Sequence, residues 1–396
     1  VHKITPLLND ASVDPRENSS ERKIIALVSF ARSGTGFLHS LLDGHPNIST
    51  LPGVYMSCFF GRGVWDLINR EGFQGIPEQF SSLYEVLFNA KCPETVPGSN
   101  RNQGVEEGFV EMGLNRDTPL TLDRGRFIKN LSEIISGFET LNHGELFESI
   151  HNAFELTLGK NFNEKNLIFY HPHNYHPYCM ANFLRYFPKA QFLTIVRNPL
   201  QSVESLAIFN LQKQSGIDFS SYVNVTNSLG LMLQNLNFAA FKIQSCTAVR
   251  LEDLKEEPKE TIRRLSIFLG IDDAPSLYEP TMQGLKWWGD PSSSLFGKTH
   301  TGHYKKDDPI HRAIGSFFNA TDQFILGTLL YPLSVRFCYV EENNSQFKKY
   351  LQQIRPLLDT PLNFEITMAE KFEPSVPNLE KTVAFKIFHA MLIGRW

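Results

Sequence analysis

The sequence has 396 residues, 42% of them hydrophobic and 20% charged, and this ordinary globular composition excludes disordered and collagen-like chains. Its 38 basic and 42 acidic residues give a net charge of −4, which argues against general nucleic-acid binding, because such binding depends on neutralising phosphates. The length predicts one large domain with insertions, or two domains.

Short apolar runs without alternation predict strands that are buried on both faces of a parallel sheet, and a helical pattern follows each run. The runs cover residues 24–28, 167–169, 192–196 and 247–249. Pro199 and Pro258 fit the first turns of two of the helices, and Gly270 fits the end of the second. This order favours an α/β, P-loop-like three-layer fold with a central parallel sheet flanked by helices.

The patterning predicts a main domain with additions at both ends and a large insertion. The insertion is mainly helical, with helices near 127–138 and 145–158, and we expect it to lie on the side of the acceptor. The predicted parts are a flexible segment 1–22, a domain 23–340 with the insertion at about 55–165, and a helical extension 341–396 packed on the domain.

The compartment is predicted from cysteines and from the lack of a long apolar stretch. Five scattered cysteines favour a reducing, cytoplasmic location, and no apolar run reaches the about 18 residues of a membrane span. Six N-x-S/T sequons keep a luminal domain without its anchor as the alternative. The start at Val1 rather than Met leaves open whether a segment precedes it.

The first predicted strand is followed by a turn of small residues and then a helix, from Ser29 to His39. This geometry suits a phosphate, because the turn and the helix N-terminus present backbone N–H groups, and Arg32 adds a full charge. The ATP-binding pattern does not fit, since no Lys follows Gly34 or Gly36. A tight turn without a ligand is the alternative.

A second strand–turn–helix supplies another cation. Arg197 ends the strand 192–196, Pro199 begins the next helix, and Ser205 lies about two turns into it. A guanidinium and a hydroxyl can hold one phosphate together. The alternative for Arg197 is a surface charge at the end of a strand.

These two motifs, with a third in the same order, resemble the PAPS-dependent sulfotransferase superfamily over residues 23 to about 272, where PAPS is 3′-phosphoadenosine-5′-phosphosulfate. The motifs are Arg32 to Phe37, Arg197 with Ser205, and Glu252-Asp253-Leu254 with Pro258 and Phe268-Leu269-Gly270. The resemblance implies PAPS as the sulfuryl donor, PAP (adenosine 3′,5′-bisphosphate) as the product, and no metal.

The resemblance also implies roles for individual residues. Arg32 would contact the transferred sulfuryl group, and Arg197 and Ser205 would hold the 3′-phosphate. The remaining loop residues would enclose the 5′-phosphate: Ser33, Gly34, Thr35, Gly36 and Phe37.

Three departures place the chain in the broad superfamily rather than in the cytosolic steroid and phenol branch. Gly36 replaces a frequent Thr or Ser, and Leu251 stands where cytosolic members have a Tyr beside the adenine. The Arg-Lys-Gly triplet of cytosolic members is absent, and Lys298 is the candidate to replace it.

A hydroxyl acceptor needs a general base, for which His is suited near neutral pH. The resemblance points to His173, 24 residues before Arg197, and then to His171. These histidines could instead bind loop carbonyls. Glu106 and Glu107 in the insertion are further candidates, and His39 is expected on the helix surface or behind the reacting groups.

The sequence therefore predicts sulfuryl transfer from PAPS to a hydroxyl or amine of an unidentified small-molecule or glycan acceptor. The alternatives are a P-loop nucleotide kinase or other phosphotransferase, and a catalytically silent protein that binds PAPS or PAP. The oligomeric state is left open.

Overall fold

The computed structural model describes residues 22–29, 32–92, 103–174, 177–211, 219–234, 246–291, 296, 314–372 and 378–394. At residues 103, 173, 174, 210, 211, 231 and 234 it describes the backbone only. The predicted flexible segment 1–22 lies outside the described residues except for Arg22. The division of the chain at residue 340 stays a prediction.

The centre of the fold is a five-stranded parallel sheet in the order β2-β3-β1-β4-β5. The strands are β1 (Lys23–Ser29), β2 (Ile48–Thr50), β3 (Leu167–Asn174), β4 (Gln191–Val196) and β5 (Cys246–Arg250). Four of them confirm the strands predicted from the apolar runs. The fifth, β2, has only three residues and gave no signal in the sequence.

Strand β1 lies in the middle and is covered on both faces. The side chains of Ile24, Ala26 and Val28 pack in a core shared with the insertion, whereas Ile25 and Leu27 pack against the opposite layer of helices. Burial on both faces explains why β1 reads as a continuous apolar run rather than an alternating one. The predicted three-layer α/β fold is confirmed.

The helices that flank the sheet are α1 (Thr35–Asp43), α7 (Pro177–Tyr186), α8 (Pro199–Leu211), α9 (Phe219–Gln234), α10 (Leu251–Glu256) and α11 (Pro258–Leu269). Pro258 occupies the first turn of α11, and Gly270 ends it with a left-handed φ of 72°. The helix start predicted at Pro258 and the helix end predicted at Gly270 are therefore confirmed.

The insertion contains helices α2 (Val64–Ile68), α3 (Ile76–Leu83), α4 (Gln103–Glu106), α5 (Arg124–Ile135) and α6 (His143–Thr157). Asp123 caps α5 by accepting from Arg126 N, and Asn142 with Glu145 forms a capping box on α6. These side chains start both predicted helices a few residues earlier than their apolar stripes indicate. Phenylalanine and tyrosine rings dominate the core between the insertion and the sheet.

A two-stranded antiparallel hairpin follows α11 and was not predicted. Its strands are β6 (Thr281–Met282) and β7 (Leu285–Lys286). The helices after it are α12 (Ala320–Leu329), α13 (Tyr331–Arg336), α14 (Asn344–Ile354), α15 (Asn363–Ala369) and α16 (Val383–Ile393). They share an apolar core with α8 and α9. Among the described residues, no helix is both long and apolar enough to cross a membrane.

A buried ionic network ties α16 and α15 to α9. The Glu365 carboxylate accepts a hydrogen bond from Tyr222 Oη at 2.7 Å and faces His389 Nε2 at 2.8 Å. His389 Nδ1 faces the carbonyl oxygen of Leu358 at 2.7 Å. Since both ring nitrogens face oxygen acceptors, His389 can donate to both only as the imidazolium.

The pKa of His389 supports that protonation state. Burial lowers the pKa, but the hydrogen bond and charge of Glu365, with smaller contributions from Leu358 and Asp359, outweigh burial and raise it above the ordinary value. A His whose pKa is raised on folding contributes stability that is complete below its unfolded pKa. That contribution is lost as the pH rises through the folded pKa.

We expect His389→Leu to lower the free energy of unfolding by about 3 kcal/mol at pH 6, because it leaves the buried Glu365 carboxylate without its cation. The difference from wild type should shrink as the pH is raised to 9. Urea unfolding at several pH values measures both. The control is Lys386→Gln on the exposed side of the same helix, which should change stability by less than about 0.5 kcal/mol. A difference that grows towards alkaline pH would contradict the imidazolium.

Candidate active site

The loop between β1 and α1 has the shape of an anion-binding turn. Arg32 and Gly34 both adopt left-handed backbone conformations, with φ of 60° and 96°. Gly34 occupies the N-cap position of α1 and has no side chain that could cap the first turn, and that turn contains no acidic residue. The positive end of the helix dipole therefore faces this loop without a neighbouring carboxylate in α1 itself.

Gly34 is required here for two separate reasons. A residue with a Cβ would be strained at its φ of 96°, and that Cβ would lie 2.8 Å from Leu251 Cδ1. Leu251 begins α10 directly after β5, so the side chain that replaces the expected Tyr packs against the loop. Gly36 lies beside Trp287, and a Cβ at position 36 would be 3.4 Å from Cη2 of that tryptophan.

Arg32 is held from two sides. Its Nη1 lies 3.0 Å from Asp290 Oδ2, and its guanidinium carbon lies 4.9 Å from the centre of the Phe209 ring in α8. A left-handed φ on a residue with a Cβ costs on the order of 1–2 kcal/mol. These contacts explain how the strained backbone position is maintained.

Arg197 follows the last residue of β4 and comes directly before α8. Asn198 caps α8, since its side chain accepts from Gln201 N at 3.2 Å, and its own N–H donates to Glu252 at 3.0 Å. The Arg197 guanidinium lies 3.4 Å from Ser205 Oγ, which is a long hydrogen bond. The structure therefore brings together the two residues that the sequence assigned to one phosphate.

One residue from each candidate phosphate site lines a common, narrow depression. Ser33 from the first loop and Arg197 from the second both line it, together with Pro199 and Ser202 of α8. Strands β1 and β4 are neighbours and parallel, so their carboxyl ends meet at one edge. The apolar side of the depression is formed by Met232, Leu333 and Phe337.

Strand β3 has an irregularity at the predicted base. Ala26 is paired with Tyr170 and Val28 with His173, so β3 has one residue more than β1 at this point. Pro172 lies in this bulge, where a residue without an N–H is tolerated. A bulge changes the register of the residues after it, and the backbone of His173 therefore pairs with Val28.

His171 is buried beneath the loop. Its Nδ1 lies 3.0 Å from Nδ1 of His39 in α1, and His39 also contacts the ring of Phe169. Burial lowers the pKa of His39 to about 4, with Asp43 opposing the shift. One Nδ1 donates and the other accepts, so a neutral pair satisfies this hydrogen bond. Of the two expected positions of His39, the helix surface is wrong, because the side chain is fully buried and contacts His171.

Not every predicted residue can be placed. The backbone of His173 lies beside Val28, but its side chain is outside the described residues, as is Lys298. Thr35 is buried in the first turn of α1, and Phe37 is half-buried between the two cores that it contacts.

Glu107 lies closer to the site than its position in the sequence suggests. Its carboxylate accepts a hydrogen bond from Val54 N at 3.4 Å. The same carboxylate fills the space beside Gly53, so a side chain at position 53 would collide with it. Its carbonyl oxygen accepts from Trp287 Nε1 at 2.8 Å, and Trp287 lies against Gly36. Glu106 is exposed.

Asp43, Trp287 and Asp290 were missed by the sequence reasoning. Asp43 ends α1 and accepts four hydrogen bonds, from Thr50 Oγ1, Thr281 Oγ1, Gln283 N and Gly284 N, each at 3.0 Å. The adjacent tryptophans at 287 and 288 were the one available signal, because neighbouring large aromatics in a loop indicate a packed segment.

Part of the chain is similar to a known protein family. Residues 126–275 match the sequence model described as the sulfotransferase family. Over this stretch, which is less than half of its length, the chain is similar to the sulfotransferase family. The matched residues include Arg197 and Ser205, whereas the loop from Arg32 to Phe37 lies before them. A search of curated proteins found no match.

Two solved structures are similar to this chain. One is the sulfotransferase domain from the Synechococcus PCC 7002 olefin synthase, with 14% identity and a TM-score of 0.45 over 80% of this chain and 96% of that domain. The other is the sulfotransferase domain from the curacin biosynthetic pathway, with 15% identity and a TM-score of 0.40 over 87% of this chain and all of that domain. At this level of similarity, neither domain informs the substrate of the present protein.

We expect Gly34→Ala to lower the free energy of unfolding by about 1–2 kcal/mol, because the left-handed φ is strained for any residue with a Cβ. Contact with Leu251 adds to that cost. Gly36→Ala is the control, since Gly36 has a helical φ and only van der Waals contact with Trp287, and it should change stability by less than about 1 kcal/mol. Urea unfolding of both variants measures the difference. Equal stability of the two would show that the loop does not require the left-handed conformation.

Proposed function

We propose that the protein transfers a sulfuryl group from PAPS to a hydroxyl or amine of a small-molecule or glycan acceptor. The observation that carries this proposal is the depression at the ends of β1 and β4, which Ser33 and Arg197 line together. Ser33 belongs to the loop assigned to the 5′-phosphosulfate, and Arg197 belongs to the pair assigned to the 3′-phosphate. The family match supports the same reaction class.

In the proposed reaction, the sulfur of PAPS is attacked in line by the acceptor oxygen or nitrogen. The bond between sulfur and the bridging phosphate oxygen breaks, a bond from sulfur to the acceptor forms, and PAP leaves with the electron pair. Negative charge grows on the bridging oxygen. The Arg32 guanidinium and the N–H groups of the turn before α1 would stabilise that charge. This chemistry uses no metal.

Recognition of PAPS rather than ATP would depend on the 3′-phosphate. Arg197 offers a planar donor fork, and Ser205 offers a hydroxyl 3.4 Å from it on α8. Arg197 comes directly before α8, whose N-terminus adds favourable partial charge, and Ser205 lies about two turns into the same helix. A nucleotide that lacks the 3′-phosphate would leave this pair without its ligand.

We expect PAP to stabilise the protein against heat, whereas AMP, ADP and Mg-ATP should not. At about 100 times its Kd, PAP should add about 2.7 kcal/mol to the free energy of unfolding. Arg197→Ala should weaken PAP binding by about 1.5–3 kcal/mol or more, measured by titration calorimetry. Arg263→Ala, which removes an exposed cation from α11, is the control. A shift with Mg-ATP as large as with PAP would favour the nucleotide phosphotransferase, and PAP binding without turnover would favour the silent protein.

For the general base we propose His173. It lies near the carboxyl end of β3, next to the strand that leads into the phosphate loop, and its backbone pairs with Val28. Val28 packs on the insertion side of the sheet, where we also propose the acceptor site. His171 is the second candidate, but its Nδ1 is engaged by His39. Glu107 is the carboxylate alternative.

We expect His173→Ala to keep PAP affinity and to lower turnover by roughly 10²–10⁴, the range for loss of a general base. Glu107→Gln tests the alternative, and the control is Glu106→Gln, which removes the exposed carboxylate next to it in the chain. Turnover is measured with radiolabelled PAPS against a panel of alcohols and amines. Full activity of His173→Ala together with loss in Glu107→Gln would move the role of base to Glu107.

The insertion is the proposed acceptor side. Its core is rich in aromatic rings, including those of Phe59, Phe60 and Phe147. These rings are fully buried and form the core of the insertion. The proposed acceptor is therefore a small molecule or a glycan.

A further inference from the structure

The segment 281–290, here called the strap, runs from the hairpin to the phosphate loop. Its first residues are hydrogen-bonded to α1. Thr281 Oγ1, Gln283 N and Gly284 N all donate to the Asp43 carboxylate at 3.0 Å. Charge-assisted hydrogen bonds of this kind are stronger than neutral ones. The strap is therefore fixed to the helix whose N-terminus forms the candidate anion site.

The middle of the strap is fastened to the insertion. Trp287 Nε1 donates to Glu107 O at 2.8 Å while its ring lies against Gly36, and Trp288 Nε1 donates to Gly113 O at 2.6 Å. The Lys286 ammonium lies 3.8 Å from the centre of the Trp288 ring. With both tryptophans held, the two residues that follow have little freedom of position.

The last residue of the strap, Asp290, contacts Arg32 in the phosphate loop. Gly289 turns the chain with a left-handed φ of 98°, and the Asp290 carboxylate then lies 3.0 Å from Arg32 Nη1. Asp290 follows Arg32 by 258 residues, so only the fold brings them together. A carboxylate is thereby presented to the same guanidinium that would receive the phosphosulfate of PAPS.

We propose that Asp290 is an internal counter-anion of Arg32, which the anionic donor must displace and which returns as the product leaves. This inference rests on the proposed function for the identity of the donor. Asp290 acts through Arg32 and is a positioning residue. It holds the strained Arg32 in place before binding, and it lowers the affinity for PAPS and PAP alike.

The exposure of the Arg32–Asp290 pair limits how much Asp290 can change the affinity for PAP. The side chains of Arg32 and Asp290 are 20% and 39% exposed, so their attraction is partly screened by water. Pairs of this kind are worth no more than about 1 kcal/mol, which corresponds to roughly fivefold in affinity. Removing the carboxylate also removes repulsion of the incoming anion, and salt should reduce both contributions.

The test is calorimetric titration of PAP into wild type, Asp290→Asn, Asp290→Glu and Glu279→Gln. Glu279→Gln is the matched control, because it removes one exposed negative charge just before the strap. We expect Asp290→Asn to bind PAP roughly three- to tenfold more tightly than wild type at low salt, with a smaller gain at 0.5 M salt. Asp290→Glu and Glu279→Gln should stay within about twofold of wild type.

Tighter binding separates this role from a structural one, because damage to the site would weaken PAP binding. Unchanged or weaker binding by Asp290→Asn would overturn the proposal. A second probe tests the counter-anion role of Asp290 independently of whether PAPS is the donor. Inorganic sulfate should raise the melting temperature of Asp290→Asn more than that of wild type. If wild type failed to bind PAP but this sulfate effect appeared, the counter-anion would stand and the PAPS assignment would fall. Absence of the sulfate effect would count against the counter-anion.

Discussion

The candidate active site depends on one geometric constraint, which is that β1, β3 and β4 are parallel neighbours and end at the same edge of the sheet. Each strand supplies one group at that edge. The loop of Arg32 follows β1, Arg197 follows β4, and His173 lies near the end of β3. Residues that are far apart in the chain thus become neighbours, and because β1 is buried on both faces, the strands hold this edge rigidly.

Around this edge, the fold balances positive charge with fixed carboxylates. Glu252 accepts from Asn198 N and from Tyr339 Oη, so it holds the turn that carries Arg197. Asp43 fixes the hairpin to α1, and Asp290 meets Arg32 directly. The first two carboxylates are buried and engaged by several donors, whereas Asp290 is partly exposed. Solvent can reach Asp290, and it is therefore the carboxylate whose contact an incoming anion can replace.

The bulge in β3 lies between two histidines that the sequence could not tell apart. Strict alternation would put residues 171 and 173 on one face, because the side-chain period of a strand is two. The extra residue at Pro172 breaks that period, and the pairing of His173 moves to Val28. His171 meanwhile meets His39 under the loop, where burial keeps the pKa of His39 low. A bulge depends on how two strands pair, so neither strand alone reveals it.

By itself, the sequence determined the α/β class, four of the five sheet strands, most of the helices that follow them, and the motifs around Arg32, Arg197 and Ser205. Local sequence patterns predict those features, namely apolar runs, proline and glycine at helix ends, and small residues in a turn. Tertiary structure alone decided β2, the contact of Asp290 with Arg32, the approach of Glu107 to Gly53, and the burial of His39. Each of these is a contact between segments far apart in the chain, or a strand too short to show a period. Their formation depends on packing that no local window of sequence contains.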